Sequence, residues 1–453
     1  MVLPTASQVT AEAISPNQQL LPLTAHINDS NHLEVGGCDV VDLVEQFGSP
    51  LYILDETTLR TAAAQYRDSF RTYYPGPSQV IYASKAWSCL AVCALVNSEG
   101  LGIDVVSAGE LYTALEAGVS PEVIYFHGNN KSQSELEYAL QVGCVVVVDN
   151  QLELETLAAL AQGQEQRPRV MIRVTPGIEC HTHEYIRTGH LDSKFGFDPN
   201  QLLSVFEYLS QAPQLQFLGL HAHIGSQIFE LEPHQDLGRV LTEWLAKAAS
   251  YGLEVSELNI GGGLGIRYVE SDDPPSIAQW VQIVSAGVVA GCEAAGVALP
   301  KLLSEPGRSL VGPACITAYR VGSRKTVPGI RTYIAVDGGM SDNPRPITYQ
   351  SRYQALLANR MRGTASTTVT IAGKHCESGD ILIRDIELSD PQSGDVLVVP
   401  GTGAYNYSMA SNYNRVPRPA AVLVNAGEAS LILRRETQAD LLRQDVLPER
   451  LRG

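Results

Sequence analysis

Eight short β-branched runs recur between about Leu51 and Arg308, each followed by a stretch with helical spacing, and few folds accommodate that pattern. The runs begin near Val80 (VIYAS), Gly102 (GIDVV), Val123 (VIYFH), Cys144 (CVVVV), Val170 (VMIRV), Phe217 (FLGLHAH), Glu257 (ELNI) and Pro300 (PKLLS). Runs apolar throughout are strands buried on both faces, and helices between them serve as the crossovers that parallel strands need. Eight such units predict an α/β fold, a closed (β/α)8 TIM barrel. The segment AGELYTALEAG from Ala108, with apolar spacing near 3.6 and a terminal Gly118, is a representative crossover helix. In such a barrel the chemistry gathers at the carboxyl ends of the strands. Here those ends carry Lys85, Ser107, His127 with Asn129, Asp149, Arg173, His223, Gly261 to Gly263, and Glu305. Any one polar strand end is explained by loops being polar; eight together point to a site.

After about Gly312 the helical stretches stop. The runs CITAYRVG, TYIAVDG, TTVTIAG, DILIRDIEL, DVLVVP, AAVLVNAG and ASLILRR predict a second, all-β domain, an antiparallel β-barrel or sandwich. A length of 453 residues suits two packed cores. The expected division is a loose extension over 1–31, a strand within 32–49 (HLEVGGCDV) pairing with the β domain, the barrel over 50–311, and the β domain over 312–453. The first 31 residues hold no Lys or Arg, which argues against a signal or transit peptide.

A formal charge of −17 opposes sequence-independent attraction to nucleic acid or to an anionic membrane. No apolar run reaches the roughly 18 residues of a membrane span. The eight cysteines are scattered without a C-x-x-C pair, the pattern of a reducing cytoplasm rather than a secreted disulfide framework.

Lys85, directly after the first barrel strand, is placed to hold an aldehyde as a Schiff base, although taken alone it reads more readily as a solvated loop lysine. Gly261, Gly262, Gly263 and Gly265 follow the seventh strand, where small residues let backbone N–H groups approach a phosphate. Their spacing does not complete a dinucleotide-binding G-x-G-x-x-G. Glu305, in SEPGRS, can keep a pyridine nitrogen protonated, and Arg308 can grip a carboxylate in bidentate fashion. Two groups raise the question of a metal: His221 with His223 on one strand, and Cys180, His181, His183 and Glu184 in ECHTHE. The first lacks an evident third ligand and the second lies in a long insertion, so no metal is expected. Cys376 and Glu377 in HCESGD, and Tyr405 in GTGAYNYSMASNYN, are uninformative by composition alone.

Taken in order, YASKA at Lys85, HGNNK from His127, EYIRTGHLDSKFGF from Glu184, HIGSQ from His223, GGGLG from Gly261, EPGR from Glu305, DGGMSDNPRP from Asp337, CESGD from Cys376 and GAYNYSMASNYN from Gly403 resemble the alanine-racemase-like (fold-type III) pyridoxal-phosphate enzymes, and within them the diaminopimelate decarboxylases. The resemblance runs from about His32 onward. It implies pyridoxal 5'-phosphate carried on Lys85, with His223 against its ring, Glu305 at the pyridine nitrogen, and Ser226, Gly261 to Gly263, Pro306, Gly307 and Arg308 among the other cofactor contacts. Arg308, Arg345 and Tyr349 resemble substrate-binding residues, Glu377 the group that reads the substrate's distal end, Tyr405 a contact to substrate and cofactor, and Cys376 the proton donor. The family's Cys-Glu loop reaches the other subunit's barrel, so the resemblance also implies a homodimer with shared active sites. The implied reaction takes an amino acid substrate, meso-2,6-diaminopimelate, to L-lysine and carbon dioxide in the cytoplasm. Decarboxylation of ornithine, arginine or carboxynorspermidine on the same fold is the rival enzyme reading, and a catalytically silent homologue is the rival of another class. Trp87 stands where many family members have Asn.

Overall fold

The computed structural model describes residues 14–178 and 193–452. All eight expected barrel strands form: β1 (Ser78–Ala83), β2 (Gly102–Val105), β3 (Ile124–Phe126), β4 (Val145–Val148), β5 (Arg169–Arg173), β6 (Gln216–His221), β7 (Glu257–Asn259) and β8 (Lys301–Ser304). They pair in parallel and in sequence, and β8 returns to β1 with Leu302 opposite Ser78, closing the barrel. Its interior is filled by Ile81, Tyr125, Val145, Val147, Met171, Leu218 and Leu303, so it is a packed core with room only at its mouth. Several polar strand ends turn out to start the next helix. Ser107 accepts from Glu110 N–H, and Asn150 accepts from Glu153 N–H, each satisfying a backbone donor that the first turn leaves orphaned.

Among the described residues one helix, Ile277–Ala295, is long and apolar enough to cross a membrane by length and composition alone. Here it belongs to the outer ring, packed on Glu232–Ser250 and Glu56–Tyr73 with Trp280, Val281, Val284, Val288 and Cys292 buried. Gly287 makes this approach possible, since a Cβ there would lie 2.4 Å from the Gln235 carbonyl oxygen.

The second sheet differs from the expected division in one respect. Leu51–Asp55, read above as part of the barrel segment, is a strand of the β unit: it pairs antiparallel with Cys315–Val327 and parallel with Ala420–Asn425. The sheet is therefore mixed, with Arg331–Val336 also running parallel to Thr367–Ala372 among otherwise antiparallel neighbours. Both faces are covered. Val396 and Val398 join one core with Ile53 and Val422, while the alternate residues Leu397 and Val399 join another with Tyr319 and Ile334.

The region ahead of the barrel also differs from expectation. Leu33–Val35 does not extend the large sheet; it forms a small sheet with His26–Ile27 and Cys38–Asp39, docked on the β unit through a Leu33 N–H to Ala358 carbonyl bond of 2.7 Å. Residues 14–31, read as a loose extension, include the fully buried Asn17 and the buried Leu20 and Leu21. The ECHTHE segment lies outside the described residues.

Candidate active site at the barrel mouth

Strand β1 ends at Ala83 and passes straight into a single 3-10 turn, Ser84–Ala86, which brings Lys85 to the wall of a cavity of about 850 Å³ at the carboxyl ends of the strands. Asp104 from β2 and Glu305 after β8 face the same space. Burial by itself pushes the Lys85 ammonium down; the carboxylates, Asp104 foremost, reverse this and raise it.

Glu305 is held from three sides. Asn259 Nδ2 donates to its Oε1 at 2.6 Å, His127 Nε2 lies 2.8 Å from the same oxygen, and His221 Nε2 sits 3.1 Å from Oε2. Burial pushes the His221 imidazole down to about 3, so it is neutral at physiological pH and donates through Nε2. Burial would raise the Glu305 carboxyl, but the facing imidazoles of His127 and His221 hold it well below the usual carboxylate range. One oxygen or nitrogen from each of His127, His221 and Glu305 lies within 4.8 Å of the others, a spacing that a cation also uses. His223 is not in that group. Its Nδ1 accepts from Gly262 N–H at 3.3 Å, and burial followed by the Lys85 charge keeps the ring neutral.

The glycine segment after β7 lies against this wall. Asn259 Oδ1 accepts from Gly261 N–H at 2.9 Å, fixing the turn. Gly261 has φ +64°, and a Cβ on it would meet the Ala222 carbonyl oxygen and His223 Nδ1 at 2.8 Å. At Gly263, with φ +125°, a Cβ would lie 2.8 Å from the Gly225 carbonyl oxygen. Beside it runs a small chamber shared by Lys85, Ser226, Gly307 and Arg308. The Pro306 carbonyl accepts from Ala83 N–H at 3.2 Å, so the EPGR turn is tied to the strand that delivers Lys85.

Two buried arginines meet on one tyrosine. Arg308 donates to Tyr268 Oη at 2.6 Å and to Ser226 Oγ at 3.0 Å, and its guanidinium lies 4.9 Å from the Tyr405 ring centre. Arg345 lies 4.6 Å over the Tyr268 ring and donates to Tyr353 Oη at 2.6 Å. Tyr405 takes φ +68°, and its N–H donates to the Ala86 carbonyl at 2.8 Å, so the ring is anchored next to the Lys85 turn. Tyr349 completes this side of the cavity.

Cys376 and Glu377 are not brought to this mouth. Both are exposed on the β unit, where Cys376 N–H donates to Asn414 Oδ1 at 2.8 Å and Glu377 Oε1 accepts from Gly379 N–H at 3.3 Å; neither lines the cavity. Sequence reasoning missed Asp104, Asn259 and Tyr268, and took His221 only as half of a metal pair. Asp104 had a signal: it is the lone polar residue of Gly102–Val105, a strand otherwise without polar side chains.

Residues 57–312 match the family model described as the pyridoxal-binding domain of pyridoxal-dependent decarboxylases. The chain belongs to the pyridoxal-dependent decarboxylases. Among its relatives, the diaminopimelate decarboxylase of Synechocystis sp. is 64% identical, covering 100% of this chain and 98% of its own length. That of Bacillus subtilis is 47% identical over 93% of this chain and 97% of its own. A crystal structure of diaminopimelate decarboxylase from M. jannaschii in complex with L-lysine superposes with a TM-score of 0.88 at 31% identity, covering 97% of this chain and all of that one. The decarboxylase family's cofactor fits the residues present. An amine, an ionised carboxylate clasped by hydrogen-bonding side chains, and a glycine cradle that any Cβ would fill are the needs of the aldehyde, the ring nitrogen and the phosphate respectively.

Proposed function

We propose that this decarboxylase converts meso-2,6-diaminopimelate to L-lysine and carbon dioxide with pyridoxal 5'-phosphate as cofactor. The observation that carries the substrate is the pair of buried guanidiniums, Arg308 and Arg345, converging on Tyr268 above the Lys85 and Glu305 pocket. A substrate with carboxylates at both ends and an ammonium at each fits two arginines together with an acid such as Glu377.

Lys85 would hold the cofactor aldehyde, and His223, Ser226 and Gly261 to Gly263, with Pro306 and Gly307 shaping the turn, would surround the ring and phosphate. When bound, the cofactor supplies an electron sink for the pair left behind by the departing carbon dioxide. Glu305 stays ionised through the hold of His127, His221 and Asn259, and would keep a proton on the cofactor's ring nitrogen. Arg308, Arg345 and Tyr349 orient the carboxylate that is retained, with Tyr405 against both substrate and cofactor. Cys376 delivers a proton from Sγ to the carbon that has lost its carboxylate, and Glu377 receives the distal ammonium. No step requires a metal.

Cys376 and Glu377 stand outside their own chain's mouth, which supports a homodimer in which each β unit completes the partner's site. In this division the barrel supplies Lys85, Glu305 and Arg308, and the β unit, which includes the strand Leu51–Asp55, supplies Arg345, Tyr349, Cys376, Glu377 and Tyr405. A cytoplasmic setting agrees with seven described cysteines that are all free.

The test compares kcat/KM for meso-diaminopimelate and ornithine. Ornithine leaves an arginine unpaired in a desolvated pocket, which costs about 2–5 kcal/mol, or on the order of thirty-fold or more in relative rate. Wild type is expected to prefer meso-diaminopimelate by at least that factor, and Arg345→Met to lose most of the preference. Equal use of both substrates by wild type refutes the reading.

A further inference from the structure

The segment from Ser15 to Gln18 crosses from the helix Glu56–Tyr73, where Ser15 Oγ lies 3.0 Å from Gln65 Oε1, to the loop that carries Tyr268, which it holds through buried polar contacts. Asn17, with no exposed surface, donates from Nδ2 to the Gly265 carbonyl at 3.1 Å and to the Pro275 carbonyl at 2.8 Å, while its own carbonyl accepts from Arg267 N–H at 2.9 Å. It therefore grips both ends of the 265–275 loop and the residue next to Tyr268. Ser15 Oγ donates to Asn17 Oδ1 at 2.7 Å and accepts from Ile277 N–H at 3.1 Å, a donor that the start of the Ile277–Ala295 helix leaves without an intrahelical partner. Gln18 Nε2 adds a bond of 2.9 Å to the Pro274 carbonyl. The loop so fixed presents Tyr268, whose hydroxyl takes the Arg308 guanidinium and whose ring lies under that of Arg345.

We infer that Asn17 is a positioning residue for substrate recognition: the N-terminal strap sets the 265–275 loop, the loop sets Tyr268, and Tyr268 sets the spacing of the two guanidiniums. The inference rests on the proposed roles of Arg308 and Arg345. Asn17 itself touches neither arginine, and a strap serving stability alone would affect how much folded enzyme there is, not how well that enzyme binds its substrate.

Holoenzyme variants separate these possibilities. Asn17→Ala is expected to raise KM for meso-diaminopimelate about tenfold, with kcat within about threefold of wild type. The Kd of L-lysine, measured by calorimetry on the holoenzyme, is expected to rise by a similar factor. With Tyr268→Ala already present there is no ring left to place, so adding Asn17→Ala is expected to change KM by less than about twofold. Ser15→Ala, which leaves Asn17 in place but removes the hydroxyl that orients it and accepts from Ile277 N–H, is expected to show the same pattern at smaller amplitude, and it replaces Asn17→Ala if that variant does not fold. A fall in kcat with KM and Kd unchanged, or KM penalties that multiply in the double variant, overturns the inference while leaving the functional reading intact. A wild type inactive on meso-diaminopimelate overturns that reading, and this inference with it.

Discussion

Asp342 shows how far burial alone can move a group away from the reaction centre. Its carboxyl accepts from Tyr319 Oη at 2.5 Å and from Gly339 N–H at 2.8 Å, and Tyr52 Oη donates to its carbonyl. Burial raises it to about 7, with the Tyr319 and Gly339 hydrogen bonds opposing. The unfolded chain releases this proton near the ordinary aspartate value, so between about pH 4 and pH 7 the folded state binds more protons than the unfolded one. Stability from this group is therefore lost as pH rises through that window, at about 1.4 kcal/mol per unit of pKa difference at most. An asparagine escapes the loss, since its Oδ1 takes the Gly339 N–H and its Nδ2 donates to the tyrosine oxygen. The melting temperature of Asp342→Asn relative to wild type is expected to climb from pH 4 to pH 7 and to level off above. Calorimetric scans at several pH values check this; a difference that is flat or that falls with pH refutes the assignment. At this same scale the sequence was readable for Lys85, Glu305 and the glycines, because position after a strand and residue type coincide. Tyr268 was not readable, because its role comes from two arginines that are distant in sequence and meet only in the folded chain.

Elements were legible where burial was symmetrical. The eight barrel strands carry continuous β-branched runs because helices cover one side and the barrel interior the other, and all eight were read directly. LYILD at Leu51–Asp55 has the same texture and is also followed by a helix, so nothing local says which sheet it joins; its partners Cys315–Val327 and Ala420–Asn425 decide it. The strap at Ser15 to Gln18 has no apolar period at all, its order coming from side-chain bonds to backbone carbonyls, and it was read as loose for that reason. The glycine turn after β7 offers a test at the level of one element. Gly263→Ala adds both left-handed strain and a Cβ against the Gly225 carbonyl oxygen, whereas Gly118→Ala adds strain at φ +83° with nothing within 4 Å. Gly263→Ala is expected to weaken cofactor retention about tenfold or more, an effect of roughly 1.4 kcal/mol or greater, with Gly118→Ala retaining it as wild type does. Absorbance of the bound cofactor after dialysis reads the result, and equal retention in both variants removes the turn from the phosphate site.

The described residues build a closed barrel, a large mixed sheet and a small three-stranded sheet, and the proposed dimer predicts complementation. Lys85→Ala lacks the cofactor amine and Cys376→Ala the proton donor, so each homodimer is expected to be nearly inactive. Random reassembly makes about half of the dimers mixed, each with one complete site of two, so co-refolding is expected to restore about a quarter of wild-type activity. Mixed dimers shown to form without any recovery refute sharing between subunits. The placement of Leu51–Asp55 also orders events during synthesis. This strand leaves the ribosome well before either neighbour exists, and both of its hydrogen-bonding edges wait until the entire barrel has been made. Pairings at such separation close slowly, and an open apolar strand invites the wrong partner meanwhile. A nascent chain stalled after the barrel would carry that strand as an unprotected edge, and it is at this stage, before Ala420–Asn425 emerges, that a chaperone has most to offer.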